Sequence, residues 1–238
     1  MDSALIAAAI AAVTSLAVSC LSIYASRRQQ HEERQLEARA ELSRHRKPLL
    51  EAAQDLGARI DNIQHNEFDV YFQSPDRREV AIKSTLYRFA RYFATLEILR
   101  SQLTFLEFEN ADETKAVAKC IVAVESALTS DRYRKFMLWR EEQRAIGEAT
   151  LLREEDGSIR CLGFATFVAE FDGRVATWLS RFQAELEEPG AARRSKRLAS
   201  VQGHLQRLVR QLDEEGRYAD ASGAPRWLTA EPGQKLAS

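Results

Sequence analysis

The chain has 238 residues, 45% of them hydrophobic and 29% charged, and its 34 lysines and arginines nearly balance 35 acids, for a net charge of -1. That balance argues against nucleic acid as a partner, because nucleic-acid binding usually calls for a basic domain. Three cysteines, Cys20, Cys120 and Cys161, are odd in number and widely spaced, so neither a disulfide framework nor a zinc knuckle can be built, and neither a metal nor a cofactor is expected.

Residues 4–25 carry no charge, and as a helix this run would span about 33 Å against a hydrocarbon core of about 30 Å. The sequence thus predicts a transmembrane anchor over residues 1–26. Met-Asp-Ser precedes it, whereas Arg27 and Arg28 follow at once. By the positive-inside rule the N-terminus lies outside the cytoplasmic (inner) membrane and the rest of the chain is cytoplasmic. A cleaved signal peptide would need a basic n-region and a shorter apolar core. A lipoprotein signal ending at Cys20 lacks that n-region too, and Leu21 to Ala25 stays apolar. Ala7, Ala11, Ser15 and Ser19 recur every fourth residue, a small-residue stripe on which a second copy could pack.

Residues 27–47 hold seven basic and four acidic side chains and read as a charged juxtamembrane helical stalk whose basic residues could meet anionic lipid headgroups. Pro48 suits the first turn of a new helix and opens an all-helical cytosolic domain over 48–216. Its first helix presents Leu49, Ala53, Leu56, Ile60 and Ile63 and should end near Gln64. After a Ser-Pro loop, a long central helix is predicted over 79–107 with Ile82, Leu86, Phe89, Phe93, Leu96, Leu103 and Leu106 inward. Another begins near Asn110 and places Val117, Cys120, Ile121, Val124 and Leu128 on its buried face, which makes Cys120 a core residue, not a nucleophile.

Residues 132–152 read as one helix, Asp156-Gly157 as a loop, and 162–186 as a single helix despite Gly173. A last helix is expected over 192–214, followed by a flexible C-terminal tail over 217–238. The fold class is all-α, an up-and-down bundle of about five or six helices on a transmembrane helix, with no regular sheet.

The clearest candidate for chemistry is a buried polar cluster of Glu97, Arg100, Glu142 and Arg144. Glu142 shares a helical face with Trp139, Ile146 and Ala149, and Glu97 borders the stripe of Leu86, Ala90 and Phe93. A buried carboxylate needs a cation, so the cluster reads first as a structural salt-bridge network and second as a ligand or acid/base pocket. Arg193, Arg194, Lys196, Arg197, Arg207 and Arg210 fall in a stretch without one acid and form a candidate anionic-lipid surface, or else a solvated arginine face. No catalytic residue is assigned. None of His31, His45, His65 or His204 follows a glutamate by three residues, which excludes a di-iron bundle, and the HExxH, GxSxG, phosphate-loop and GxGxxG motifs are missing.

The anchor taken together with RKPLLEAAQDLGARIDNI, YFATLEILR and LWREEQRAIGE followed by CLGFATFV resembles a group of bacterial, often actinobacterial, single-pass membrane-anchored helical proteins without an assigned activity. The likeness covers roughly Arg46 to Phe171 and implies a shared fold but no catalytic residue. The expectation is a non-enzymatic interaction or regulatory module at the membrane, whose partners are the bilayer, an unidentified protein and a second copy of itself. A ligand-binding or enzymatic domain using the Glu/Arg cluster is one alternative. An oligomerising, membrane-perturbing stress or defence effector is the other.

Overall fold

The computed structural model describes residues 2–66, 68–102, 112–213 and 226–229, and in its first helix the side chains of residues 1–20 and of several between 31 and 42 lie outside that description. Those side chains include the stripe of Ala7, Ala11, Ser15 and Ser19. Among the described residues, no helix is long and apolar enough to cross a membrane.

The first helix, α1 (Asp2–His65), runs unbroken through Pro48, so the helix start expected there is corrected. An interior proline removes an N–H and crowds the carbonyl four residues back. Pro48 and Arg44 are both exposed, so the carbonyl left without its amide can be hydrated, and the apolar residues that follow hold the helix in register. Leu49, Leu50, Ala53, Leu56, Ile60 and Ile63 are all buried.

A 3-10 turn (Phe68–Gln73) leads to α2 (Pro75–Gln102). This helix starts four residues before the expected Glu79 because proline is well suited to a first helical position, where its missing N–H costs nothing. Ile82, Leu86, Phe89, Phe93 and Leu96 point inward as expected; Leu103 and Leu106 lie outside the described residues. On α3 (Asp112–Thr129), Val117, Ile121, Val124 and Leu128 are buried, while Cys120 is half-buried and its thiol is pushed up by burial.

Only ten residues of the helix expected over 132–152 are helical, as α4 (Arg140–Ala149). Residues before it form a loop in which Phe136 takes a left-handed backbone (φ 59°) and buries its ring edge-on against Phe182. Beyond α4 the chain becomes extended. Strands β1 (Leu151–Arg153) and β2 (Ile159–Cys161) pair antiparallel, Leu152 opposite Arg160. This hairpin corrects the expectation of a loop and of no regular sheet. Its turn is made by Gly157, at φ 82°, and by Asp156, whose carboxylate accepts from the Ser158 N–H at 2.9 Å.

Three short helices, α5 (Phe164–Ala169), α6 (Phe171–Arg174) and α7 (Ala176–Glu187), replace the single helix expected over 162–186. The apolar spacing survives, with Phe167, Phe171, Val175, Leu179, Phe182 and Leu186 buried. Breaks at Glu170 and Val175 let the chain turn so that Phe164 and Phe167 both meet Tyr87 on α2. Ser195 then caps α8 (Lys196–Leu212), its hydroxyl accepting from the Leu198 N–H at 3.2 Å. Within the segment expected as a loose tail, α9 (Arg226–Thr229) docks on α1, with Trp227 buried.

The C-terminal part of α1 packs between α2 and α8, α2 also packs on α4, and α8 on α3. Gly147 permits the tight α2–α4 contact: a Cβ there would lie 2.8 Å from the Phe93 carbonyl oxygen and 2.9 Å from Glu97 Cγ.

Candidate functional site

Glu97 projects from α2 and Glu125 from α3, both buried, and Arg100 bridges them. Arg100 Nη1 donates to Glu97 Oε1 at 2.6 Å, while its Nη2 donates to Glu125 Oε1. From α4, Arg144 Nη2 donates to Glu97 Oε2 at 3.4 Å, and Arg140 Nη1 lies 3.9 Å from Glu125 Oε2. Burial alone would lower the Arg100 guanidinium. The carboxylates of Glu125 and Glu97 outweigh it and leave that group above its ordinary value.

Every carboxylate oxygen of the pair therefore faces a guanidinium. Such a network fixes the register of three helices, and it offers no free base and no unpaired acid to a substrate. Tyr92, fully buried on α2, has its phenol pushed well up by burial and then by the nearby Glu125 charge, so it stays neutral and cannot act as a base at ordinary pH. The concave regions lined by described residues include one of about 460 Å3 beside Arg59 and one of about 220 Å3 beside Lys83; neither is lined by Glu97, Arg100 or Glu125. Among the described residues, no three His, Cys, Asp or Glu side chains converge as a metal site would require.

Three of the four residues expected together, Glu97, Arg100 and Arg144, do meet. Glu142 does not. Its carboxylate turns back to accept the Trp139 N–H at 2.7 Å and pairs with Arg181 at 3.4 Å, so it caps the start of α4. The face of α4 that enters the core carries Gln143, Ile146 and Gly147 instead, one position round from the face expected, and Trp139 is exposed. Gln143 Nε2 donates to the carbonyls of Leu138 and Glu125. The acid missed by the sequence reading is Glu125. Its signal was present, since Glu125 stands four residues after Ile121 and three before Leu128 on the buried face of α3.

The basic stretch divides in two. Arg193, Arg194, Lys196, Arg207 and Arg210 are exposed, Arg207 donating to the Gly203 carbonyl and Arg210 to that of Leu228. Arg197, expected on the same surface, is fully buried, and this is a correction. Its guanidinium donates to the carbonyls of Ala127 and Leu128 in the last turn of α3 at 2.8 and 2.6 Å, and to those of Ser130, Tyr133 and Lys135 in the loop beyond. Carbonyls at a helix end lack amide partners and seek donors elsewhere; here one planar fork supplies them. Burial pushes the Arg197 guanidinium down, and the charges of Glu185 and Asp131 oppose that. Within residues 132–139 the carbonyls of Tyr133 and Lys135 are turned toward Arg197, and the Phe136 N–H donates to the Glu185 carboxylate, which together hold this stretch out of a helix.

Comparison of the chain with family models, with curated proteins and with solved structures gives no match.

Proposed function

We propose that the protein is a non-enzymatic interaction module, a helical bundle carried on a rod whose uncharged N-terminal run sits in a lipid bilayer. The supporting observation is the continuity of α1: one helix joins the uncharged residues 4–25 to the bundle, whose core begins at Leu49. Between them the described side chains of residues 21–48 are almost all exposed. Residues 27–48 are then a spacer of about 33 Å, at 1.5 Å per residue. With basic residues clustered on the C-terminal side of the uncharged run, the bundle faces the cytoplasm. A second copy of the chain at the small-residue stripe and an unidentified protein at the bundle are the partners that such a tether would concentrate. The internal pairing of Glu97, Arg100 and Glu125 supports this reading over an enzyme built on those acids.

Membrane fractionation tests the reading. Full-length protein should stay in the pellet after an alkaline carbonate wash, and deletion of residues 2–26 should release it. Unchanged gel mobility of Cys20→Ala distinguishes a spanning helix from lipid attached at that cysteine. Recovery of the full-length chain in the carbonate supernatant would overturn the proposal.

A further inference from the structure

We propose that the cleft between the end of α1 and the first half of α2 binds a phosphate monoester carrying an apolar group, its head held by the guanidiniums of Arg59 and Arg77, with that of Arg88 behind Ser84 adding positive charge. At about 460 Å3 the cleft is of ligand size, since small-molecule sites run from about 300 to 1,000 Å3. Its lining is chemically divided. Val80, Ala81 and the ring of Tyr71 make an apolar wall, while Arg59, Arg77 and Ser84 make a polar one, and Asp76 is the only carboxylate among the described lining residues.

Two guanidiniums converge on Ser84. Arg59 Nη2 donates to its hydroxyl oxygen at 3.1 Å, and Arg88 Nη1 donates to its carbonyl at 3.0 Å. The Ser84 hydroxyl spends its own proton on the Ala81 carbonyl, so it orients Arg59 and leaves the remaining guanidinium N–H groups to a ligand. Among the described residues neither Arg59 nor Arg88 has a carboxylate partner. Arg91, on the same helix, shows the ordinary arrangement, reaching Asp55 at 2.6 Å and Glu51 at 3.5 Å. Burial, and then repulsion from Arg88, pushes the Arg59 guanidinium down to about 10, so the two cations feel each other, and neither forms an ion pair with a carboxylate among the described residues.

Charge selects the head group. Arg59 and Arg77 line the cleft against Asp76, and Arg88, outside the lining but close enough to repel Arg59, brings the local excess to two positive charges; a phosphate monoester carries about -1.5 to -2 at neutral pH. A carboxylate would leave one charge unmatched, and the planar forks of arginine suit phosphate oxygens bidentately. The apolar part follows from Val80 and Tyr71, which are 58% and 39% exposed beside these cations and would be covered by an alkyl chain or ring.

The test is isothermal titration of the full chain in a non-ionic detergent with hexyl phosphate, inorganic phosphate and hexanoate. Hexyl phosphate should bind tighter than either of the others; Arg59→Gln should weaken it by about tenfold or more, the loss of one charge-assisted contact, and Arg88→Gln should weaken it less, through the lost charge alone. Arg160→Gln, on the hairpin and remote in sequence, should bind like the parent. Should either half-buried variant fail to fold by circular dichroism, the exposed Arg77→Gln carries the test, with weaker binding expected. Equal affinity for the three probes, or hexyl phosphate binding unchanged in folded Arg59→Gln or Arg77→Gln, would overturn the proposal. Vesicles containing phosphatidic acid locate the source of the head. Retention that exceeds phosphatidylcholine vesicles and is lost in Arg59→Gln means a lipid, and hexyl phosphate binding without that difference means a soluble ester.

Discussion

Arg197 and Arg59 are both arginines drawn into the helical body without a carboxylate ion-pair partner among the described residues, yet their surroundings are opposite. At Arg197 all five hydrogen bonds go to backbone carbonyls at the end of α3 and in its loop, of which that of Leu128 also accepts the Leu138 N–H at 3.2 Å. At Arg59 there is one side-chain bond, to Ser84, a second guanidinium nearby and open volume in front. The first cation is satisfied by the fold; the second is only positioned by it. Satisfaction of this kind contributes to stability, because removing the donor leaves several buried acceptors without partners. Positioning without satisfaction contributes little to stability and leaves hydrogen-bonding capacity for something outside the chain.

Substitutions at the two arginines should separate these cases. Arg197→Met keeps much of the side-chain volume and removes every donor, so the largest loss is expected there, about 4 to 5 kcal/mol, at the upper end of what breaking a buried polar network costs. Urea unfolding followed by circular dichroism measures it, and a loss below about 1 kcal/mol, the worth of a single hydrogen bond, would mean that water replaces the guanidinium. Glu125→Gln comes next. It leaves Arg100 with one carboxylate instead of two in a buried setting and should cost about 3 kcal/mol; a melting temperature equal to the parent's would show that the network is hydrated and free to rearrange. Gly147→Ala should cost about 2 kcal/mol by overpacking, since the new methyl meets the rigid Phe93 carbonyl of α2.

Periodicity in the sequence predicted much of this core. Leu49 to Ile63, Ile82 to Leu96 and Leu198 to Leu212 alternate at helical spacing, and those residues are buried. It failed where a distant side chain overrode the local pattern. Residues 132–139 have helical spacing but are held open in part by Arg197, which binds the carbonyls of Lys135 and Tyr133, 62 and 64 residues away in sequence. An arginine in a basic stretch gives no sign that it will be buried. The hairpin was missed because its strands are three residues each, too short for alternation to register, and its signal lay in Asp156-Gly157 alone. In the polar cluster, Glu97 and Arg100 were legible from their place beside the α2 stripe. Glu142 was misplaced by a rotation of one residue about α4. That error is inherent in reading a ten-residue helix whose two edges both carry polar side chains, because the choice of face there is made by what α4 packs against: Gly147, pressed onto Phe93 and Glu97, sets it.

The smallest stability effect, and the one that most sharpens the contrast, is expected for Arg59→Gln. The substitution removes a positive charge that burial and Arg88 both disfavour, while what it forfeits is one hydrogen bond to Ser84 and a distant contact with the Phe68 ring at 5.9 Å. These contributions oppose one another, so unfolding free energy should stay within about 0.5 kcal/mol of the parent, the range of substitutions that break no network. Added sodium phosphate sharpens the test further. A ligand that binds only the folded form raises stability in proportion to the logarithm of its concentration above Kd, so millimolar phosphate should raise the melting temperature of the parent more than that of Arg59→Gln, while equimolar chloride at matched ionic strength should not separate them. If Arg59→Gln instead loses several kcal/mol in the absence of any anion, the cation is satisfied by the fold after all, and the difference between the two arginines disappears.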